Sequence, residues 1–110
     1  MSYKPIIIVA GEPNSVFSEI FFKAKKNKKT KNPIILIASE KLIIKQMKKL
    51  KFKYKINLID YKKNNLSQLN NNRINLVNVN FTFKKTFDQI TDKSNIYIKK
   101  CFDLGLKILS

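Results

Sequence analysis

Residues 4–24, KPIIIVAGEPNSVFSEIFFKA, constrain the fold more than any other stretch. Four apolar residues in a row, Ile6 to Val9, do not alternate, so the strand they form reads as one covered on both faces, as in a parallel sheet. Gly11 then permits a left-handed or tight backbone, Pro13 forbids continuation of the strand, and Ser15 is a good cap for a helix starting near Val16. In an open α/β sheet such a junction lies in the crevice at the carboxyl ends of the strands. There the first N–H groups of the helix and its dipole favour an anion.

The same alternation continues along the chain. Helix one is predicted over 16–27, with Val16, Ile20, Phe21 and Ala24 on its apolar face and Glu19 in the first turn. Residues 34–38 (IILIA) form a second continuously apolar strand, and Ser39 caps a second helix over 40–50 with Leu42, Ile43, Met47 and Leu50 as its stripe. Residues 55–60 read as a third strand. Residues 61–73 read as an Asn-rich exposed loop, and 74–79 as a half-exposed strand near a sheet edge, because asparagines alternate with Ile and Val. Residues 81–92 carry no clear pattern. A last helix is predicted over 94–109, capped by Ser94, with Ile96, Tyr97, Cys101, Leu104, Leu106 and Ile108 apolar. The order β-α-β-α-β with right-handed crossovers predicts a three-layer, mostly parallel α/β sheet in one domain without an internal boundary. A helix that leads into no further strand reads as the end of an incomplete unit.

Charge and residue chemistry narrow the function. Net charge is +16, which first suggests nucleic acid or an anionic surface. Yet all but Arg73 of the 23 basic residues are lysine, whereas readers of bases and phosphates favour the guanidinium fork. Lys, Asn and Ile rise together as they do in AT-rich coding sequence, which argues against nucleic acid as a partner. The lysines at 23–31 and at 45, 48 and 49 fall at helix ends, where cations complement the dipole. The runs Lys51-Phe52-Lys53-Tyr54-Lys55 and Phe81-Thr82-Phe83-Lys84-Lys85 mimic single-strand binders, but outward lysines and inward aromatics of a strand entry give the same string.

Cys101 is the only cysteine, which excludes an internal disulfide and fits a reducing compartment; its place on an apolar helical stripe makes it a core residue. No secretory signal or apolar run of about 18 residues is present, so the chain reads as cytoplasmic with no membrane partner. There is no histidine, which removes His-based triads, His metal sites and His acid–base catalysis. After Gly11 the next glycine is Gly105, so neither phosphate-loop pattern exists. Of the seven acids only Glu12 falls on a crevice turn, either as a helix cap or as a group orienting a ribose hydroxyl or a cation.

The segment IIIVAGEPNSVFSEI resembles the first strand, GEP turn and first helix of the 4-hydroxythreonine-4-phosphate dehydrogenases. Their pattern there is similar to G-E-P-x-G-I-G-P-E. Gly11, Glu12, Pro13 and Glu19 stand at matching places, while Ser15 and Phe17 replace glycines and Ser18 replaces proline. Looser likenesses are PIILIAS at 33–39, INLVNVN at 74–80 and SNIYIKKCFDLGLKIL at 94–109. The resemblance implies an isocitrate/isopropylmalate-dehydrogenase-like fold, of which residues 1–110 are the N-terminal portion. It implies oxidation of 4-phosphooxy-L-threonine by NAD or NADP, then decarboxylation, in vitamin B6 biosynthesis. It also implies a homodimer with a divalent metal held by histidines. Those metal and catalytic positions lie in parts of the family absent from this sequence, so the portion is expected to be inactive alone and to bind neither cofactor nor metal alone. Gly11, Glu12 and Pro13 are the cofactor-cleft residues the resemblance implies. The alternative reading is a small basic α/β module that binds nucleic acid or another polyanion.

Overall fold

A computed structural model describes residues 5–10, 17–26, 32–60, 69–70, 72–81 and 95–109. The described elements are β1 (Ile6–Val9), α1 (Phe17–Lys26), β2 (Ile34–Ala38), α2 (Glu40–Lys49), β3 (Ile56–Leu58), β4 (Ile74–Asn78) and α3 (Asn95–Leu109). All four strands are parallel, in the order β1-β2-β4-β3. The fold is therefore a small α/β domain. The Gly11-Glu12-Pro13 turn, the Ser15 cap and the 81–92 region, apart from Phe81, lie outside the described residues. Among the described residues no helix is long and apolar enough to cross a membrane.

Register assigns the faces. Ile7, Val9, Ile35, Ile37, Asn75, Val77 and Asn57 share one side of the sheet, because Ile7 pairs with Ile35, and Asn75 with both Ile35 and Asn57. Helix α3 covers that side over β1 and β2. A Cβ on Gly105 would stand 2.9 Å from Val9 Cγ2 and 3.4 Å from Ile37 Cδ1, so glycine is what permits this close approach. Two helices cannot cover the same two strands from one side. Helix α1, which joins β1 to β2 and packs against α2, therefore lies on the other face with α2. The centre of the core is β2 and β4, where Ile35, Leu36, Ile37, Ile74 and Leu76 are essentially inaccessible. Burying each of these side chains contributes about 1.5–3 kcal/mol.

Strand β1 is parallel, as its continuous apolar run predicts; among the described strands it stands at the sheet edge, with Ile6 exposed and Ile7 to Val9 half-buried. Two expectations from periodicity are corrected. Strand β4, predicted to be half-exposed near an edge, lies between β2 and β3 and is buried except for Asn78. The α1 face also differs: Ser18, Phe21 and Phe22 are buried, while Ile20 and Ala24 face outward. Phe22 reaches across to Phe52 and Tyr54, with ring centroids 5.3 and 6.4 Å away, and this rotates α1 about its axis. Helix α2 buries Leu42, Ile43, Gln46 and Met47, with Leu50 half-buried.

Helix α2 ends in a complete Schellman arrangement. Lys51 N–H donates to the Lys48 carbonyl, and Phe52 N–H to the Met47 carbonyl, while Lys51 takes φ of 65°. That reversal aims the Lys51–Lys55 segment so that Lys51, Lys53 and Lys55 are exposed and Phe52 and Tyr54 pack inward. The alternation is that of a strand entry.

The position of β4 has a specific polar cause. Asn75 is fully buried, and its Oδ1 accepts from Asn57 Nδ2 and from the Asn70 N–H, each at 2.9 Å. Its Nδ2 donates to the Ile34 carbonyl at 2.9 Å. One side chain thus ties β4 to β2, β3 and the approach to β4. Asn75→Ala removes all three hydrogen bonds at once, and urea unfolding should show a loss of about 2–4 kcal/mol, several times the cost of an exposed Asn72→Ala change. A loss below about 0.5 kcal/mol would show that the network does not hold the strand.

Candidate functional site

In a parallel sheet the carboxyl edge collects the strand ends, and here it gathers Ala10, Ser39, Asn78, Asn80 and the start of α3. Ala10 donates its N–H to the Ile37 carbonyl at 3.0 Å, and Val79 donates to the Ala38 carbonyl at 2.9 Å, which aligns the ends of β1, β2 and β4. Gly11, Glu12 and Pro13 follow Ala10 in the sequence.

The amino end of α2 opens on the same edge, and the N–H groups of Ser39, Glu40, Leu42 and Ile43 there are already used. Ser39 has extended backbone and its Oγ accepts from the Leu42 N–H at 3.3 Å. Asn78 Oδ1, at the end of β4, accepts from the Glu40 N–H at 2.9 Å, and Asn78 Nδ2 donates to Asn80 Oδ1 at 3.1 Å. The Ile43 N–H closes on the Ser39 carbonyl at 3.0 Å. A dinucleotide pyrophosphate needs several open N–H groups here, and this helix terminus leaves only that of Lys41 without a partner among the described residues. Nor do these amides and hydroxyls, bonded to one another, form the carboxylate-rich cage that a hard divalent cation requires. This end of α2 therefore suits neither the dinucleotide nor the metal that the resemblance implies, and no chemical step is routed through either.

Tyr97 and Cys101 stand one turn apart on the buried side of α3. The Ser39 N–H donates to the Tyr97 hydroxyl oxygen at 2.8 Å, so the phenol's own proton is left for the Cys101 sulfur. Burial above all, then the neighbouring Cys101, holds the Tyr97 phenol above its ordinary range, against the pull of the Ser39 N–H. Burial pushes the Cys101 thiol up from 9.0 to about 11, with the Tyr97 hydrogen bond acting weakly downward. Buried, with its thiolate disfavoured, Cys101 sits in the core as a small apolar group. Phe81 packs against Tyr97, with centroids 4.6 Å apart and the rings tilted by 39°.

Among sequence candidates, Gly11, Glu12 and Pro13 lie outside the described residues, and Ser39 is the cap its sequence indicates. Asn78 as a second cap was not legible, since an asparagine after an apolar strand ordinarily reads as the start of a turn. Ser18 is another feature that sequence reasoning missed. It lies in the first turn of α1, fully buried, and its Oγ has no hydrogen-bond partner among the described residues. It occupies the place where the resembling family carries proline, which brings no hydroxyl to satisfy. A scan against protein-family models finds no match for this chain, and a search of curated proteins finds none either.

Two outcomes follow from these environments. At pH 8, iodoacetamide should label native Cys101 at least about 100-fold more slowly than urea-unfolded chain, because a rise from 9.0 to about 11 lowers the thiolate fraction by that factor before access is counted. Comparable rates would contradict the buried thiol. Ser18→Ala removes an orphaned hydroxyl and should stabilise the domain by about 1 kcal/mol in thermal or urea unfolding; a loss of similar size would mean that the hydroxyl has a partner.

Proposed function

We propose that this chain is the N-terminal α/β portion of an NAD(P)-dependent dehydrogenase of the 4-hydroxythreonine-4-phosphate family. In this reading it has the isocitrate/isopropylmalate-dehydrogenase-like fold and acts within a homodimer on a phosphorylated small molecule, 4-phosphooxy-L-threonine. Gly11, Glu12 and Pro13 line one wall of the cleft, while the metal and the oxidation and decarboxylation belong to residues outside this sequence. The observation that carries the reading is the Gly-Glu-Pro sequence that follows the apolar first strand of a parallel sheet. It is supported by the order of the later blocks, by Ser39 as the cap that the PIILIAS likeness implies, and by Tyr97 in the first turns of α3. Ser15 and Phe17 in place of glycines leave less room for a ligand against the backbone of this turn.

A second reading, a polyanion-binding module, is favoured by one feature. Lys41, Lys45, Lys48, Lys49, Lys51, Lys53 and Lys55 are all exposed, with no acidic residue from 41 to 55 and no ion pair for any of them among the described residues. Like charges spaced i,i+4 destabilise a helix slightly, so an anion would relieve them. Labelled single-stranded DNA separates the readings: the dehydrogenase reading expects no saturable binding at about 0.15 M salt, and the polyanion reading expects micromolar binding with a steep salt slope.

The direct test is complementation of a bacterium that lacks this dehydrogenase and grows only with pyridoxine. The natural locus encoding the chain should restore growth, and codons 1–110 alone should not. A locus that fails to restore growth would overturn the reading, and rescue by codons 1–110 would show that the chemistry does not lie elsewhere.

A further inference from the structure

The lysines at 41, 45, 48, 49, 51, 53 and 55 follow one another along the outer side of α2 and the segment that leads into β3. All are exposed, none makes an ion pair among the described residues, and Glu40, the acid next to them in sequence, pairs with none of them. A lysine-rich composition accounts for their number but not for their places. The dipole of α2 favours cations in its last turn, which explains Lys48 and Lys49. Lys41 stands in the first turn, where the same dipole opposes it, and Lys45 and Lys49 repeat the charge at i+4 and i+8. Lys51 takes the left-handed position of the Schellman turn, with φ of 65°, where a side chain is strained and glycine is the usual residue. The ridge is held against local preference at several points. A bound anion would offset what the free chain loses there.

The side chains between the lysines decide what kind of anion fits. Phe52 and Tyr54 alternate with Lys51, Lys53 and Lys55 but are half-buried, their rings nearly parallel with centroids 6.2 Å apart and both packed against Phe22. Lys25 Nζ lies 5.6 Å from the centre of the Tyr54 ring. The rings are engaged within the protein, so a single strand, which binds by stacking its bases on exposed aromatics, gains little from them. A membrane surface fits no better. Of the exposed α2 residues only Ile44 is apolar, and a helix lying in an interface needs a broad apolar face. Every cation of the ridge is a lysine, a point charge without the guanidinium fork that reads base edges. What remains is charge alone. Charge alone favours the polyanion of highest linear density, a nucleic-acid duplex with one phosphate per about 1.7 Å of axis.

We propose that the lysine ridge of α2 and residues 51–55 binds the phosphate backbone of double-stranded nucleic acid without reading its sequence. The ridge starts near the amino end of α2 and ends at the amino edge of the sheet, where β3 begins. It lies on the side of the sheet opposite α3. The inference deepens the polyanion reading, on which it rests, and is independent of the dehydrogenase reading.

Fluorescence anisotropy of the 110-residue chain against a labelled DNA duplex of about 20 base pairs and arbitrary sequence, and against one of its single strands, tests it across a salt series. With the ridge engaged, log affinity for the duplex should fall against log salt with a slope of about −6, and the duplex should bind at least about fivefold more tightly than the single strand. The triple variant Lys41→Gln, Lys45→Gln, Lys53→Gln should lower that slope by about 3 and weaken duplex binding at least about tenfold at 0.15 M salt. Relieved of repulsion, it should also melt no lower than the natural chain. Lys99→Gln, Lys100→Gln, Lys107→Gln removes the same charge from exposed positions on α3 and should change the slope by less than about 1. The proposal is overturned if both triples lose affinity alike, if the ridge triple melts lower, if the single strand binds as tightly as the duplex, or if polyglutamate of equal charge displaces the duplex, which would make the partner an acidic polypeptide. If duplex, single strand and polyglutamate all fail to bind saturably, the polyanion reading falls with it.

Discussion

The buried side chain of Asn75 ties three separate segments of this fold together. It accepts from Asn57 on β3 and from the Asn70 N–H, and donates to the Ile34 carbonyl on β2. A buried amide without partners would cost more than its packing returns, so the arrangement that satisfies it is strongly preferred. That arrangement puts β4 in the middle and sends β3 to the far edge. With β4 central, the helix that follows returns over β2 and β1, on the face opposite α1 and α2. The carboxyl edge, where Tyr97 meets Ser39 and Asn78 meets α2, is a consequence of that return.

The edge is built to be rigid. Ser39 gives its N–H to Tyr97, accepts from Leu42 and caps α2, while Asn78 secures the next donor. Elements from β2, β4 and α3 are locked into one hydrogen-bonded corner. The raised Tyr97 and Cys101 groups belong to the same corner and mark burial, not reactivity.

Much of the fold was legible in the sequence, since continuous apolar runs at Ile6–Val9 and Ile34–Ala38 announce parallel strands and Ser39 announces a helix. Strand order was not. The asparagines of 74–80 read as solvent-facing because nothing local reveals that Asn75 finds three partners from distant segments. The outward turn of Ile20 was equally hidden, because Phe22 is drawn to Phe52 and Tyr54 some thirty residues away. For the site, the sequence singled out Gly11, Glu12 and Pro13 and the Ser39 cap, but not Asn78 or the orphaned Ser18 hydroxyl, whose roles exist only through tertiary contacts.

Strand order is thus the central claim, and the most direct measurement is a set of cross-strand NOEs on isotope-labelled protein. The account predicts contacts from the Asn75 backbone to both Ile35 and Asn57, together with slowly exchanging, well-dispersed Asn75 side-chain amide protons. Contacts running directly from β2 to β3, with β4 outside them, would contradict it.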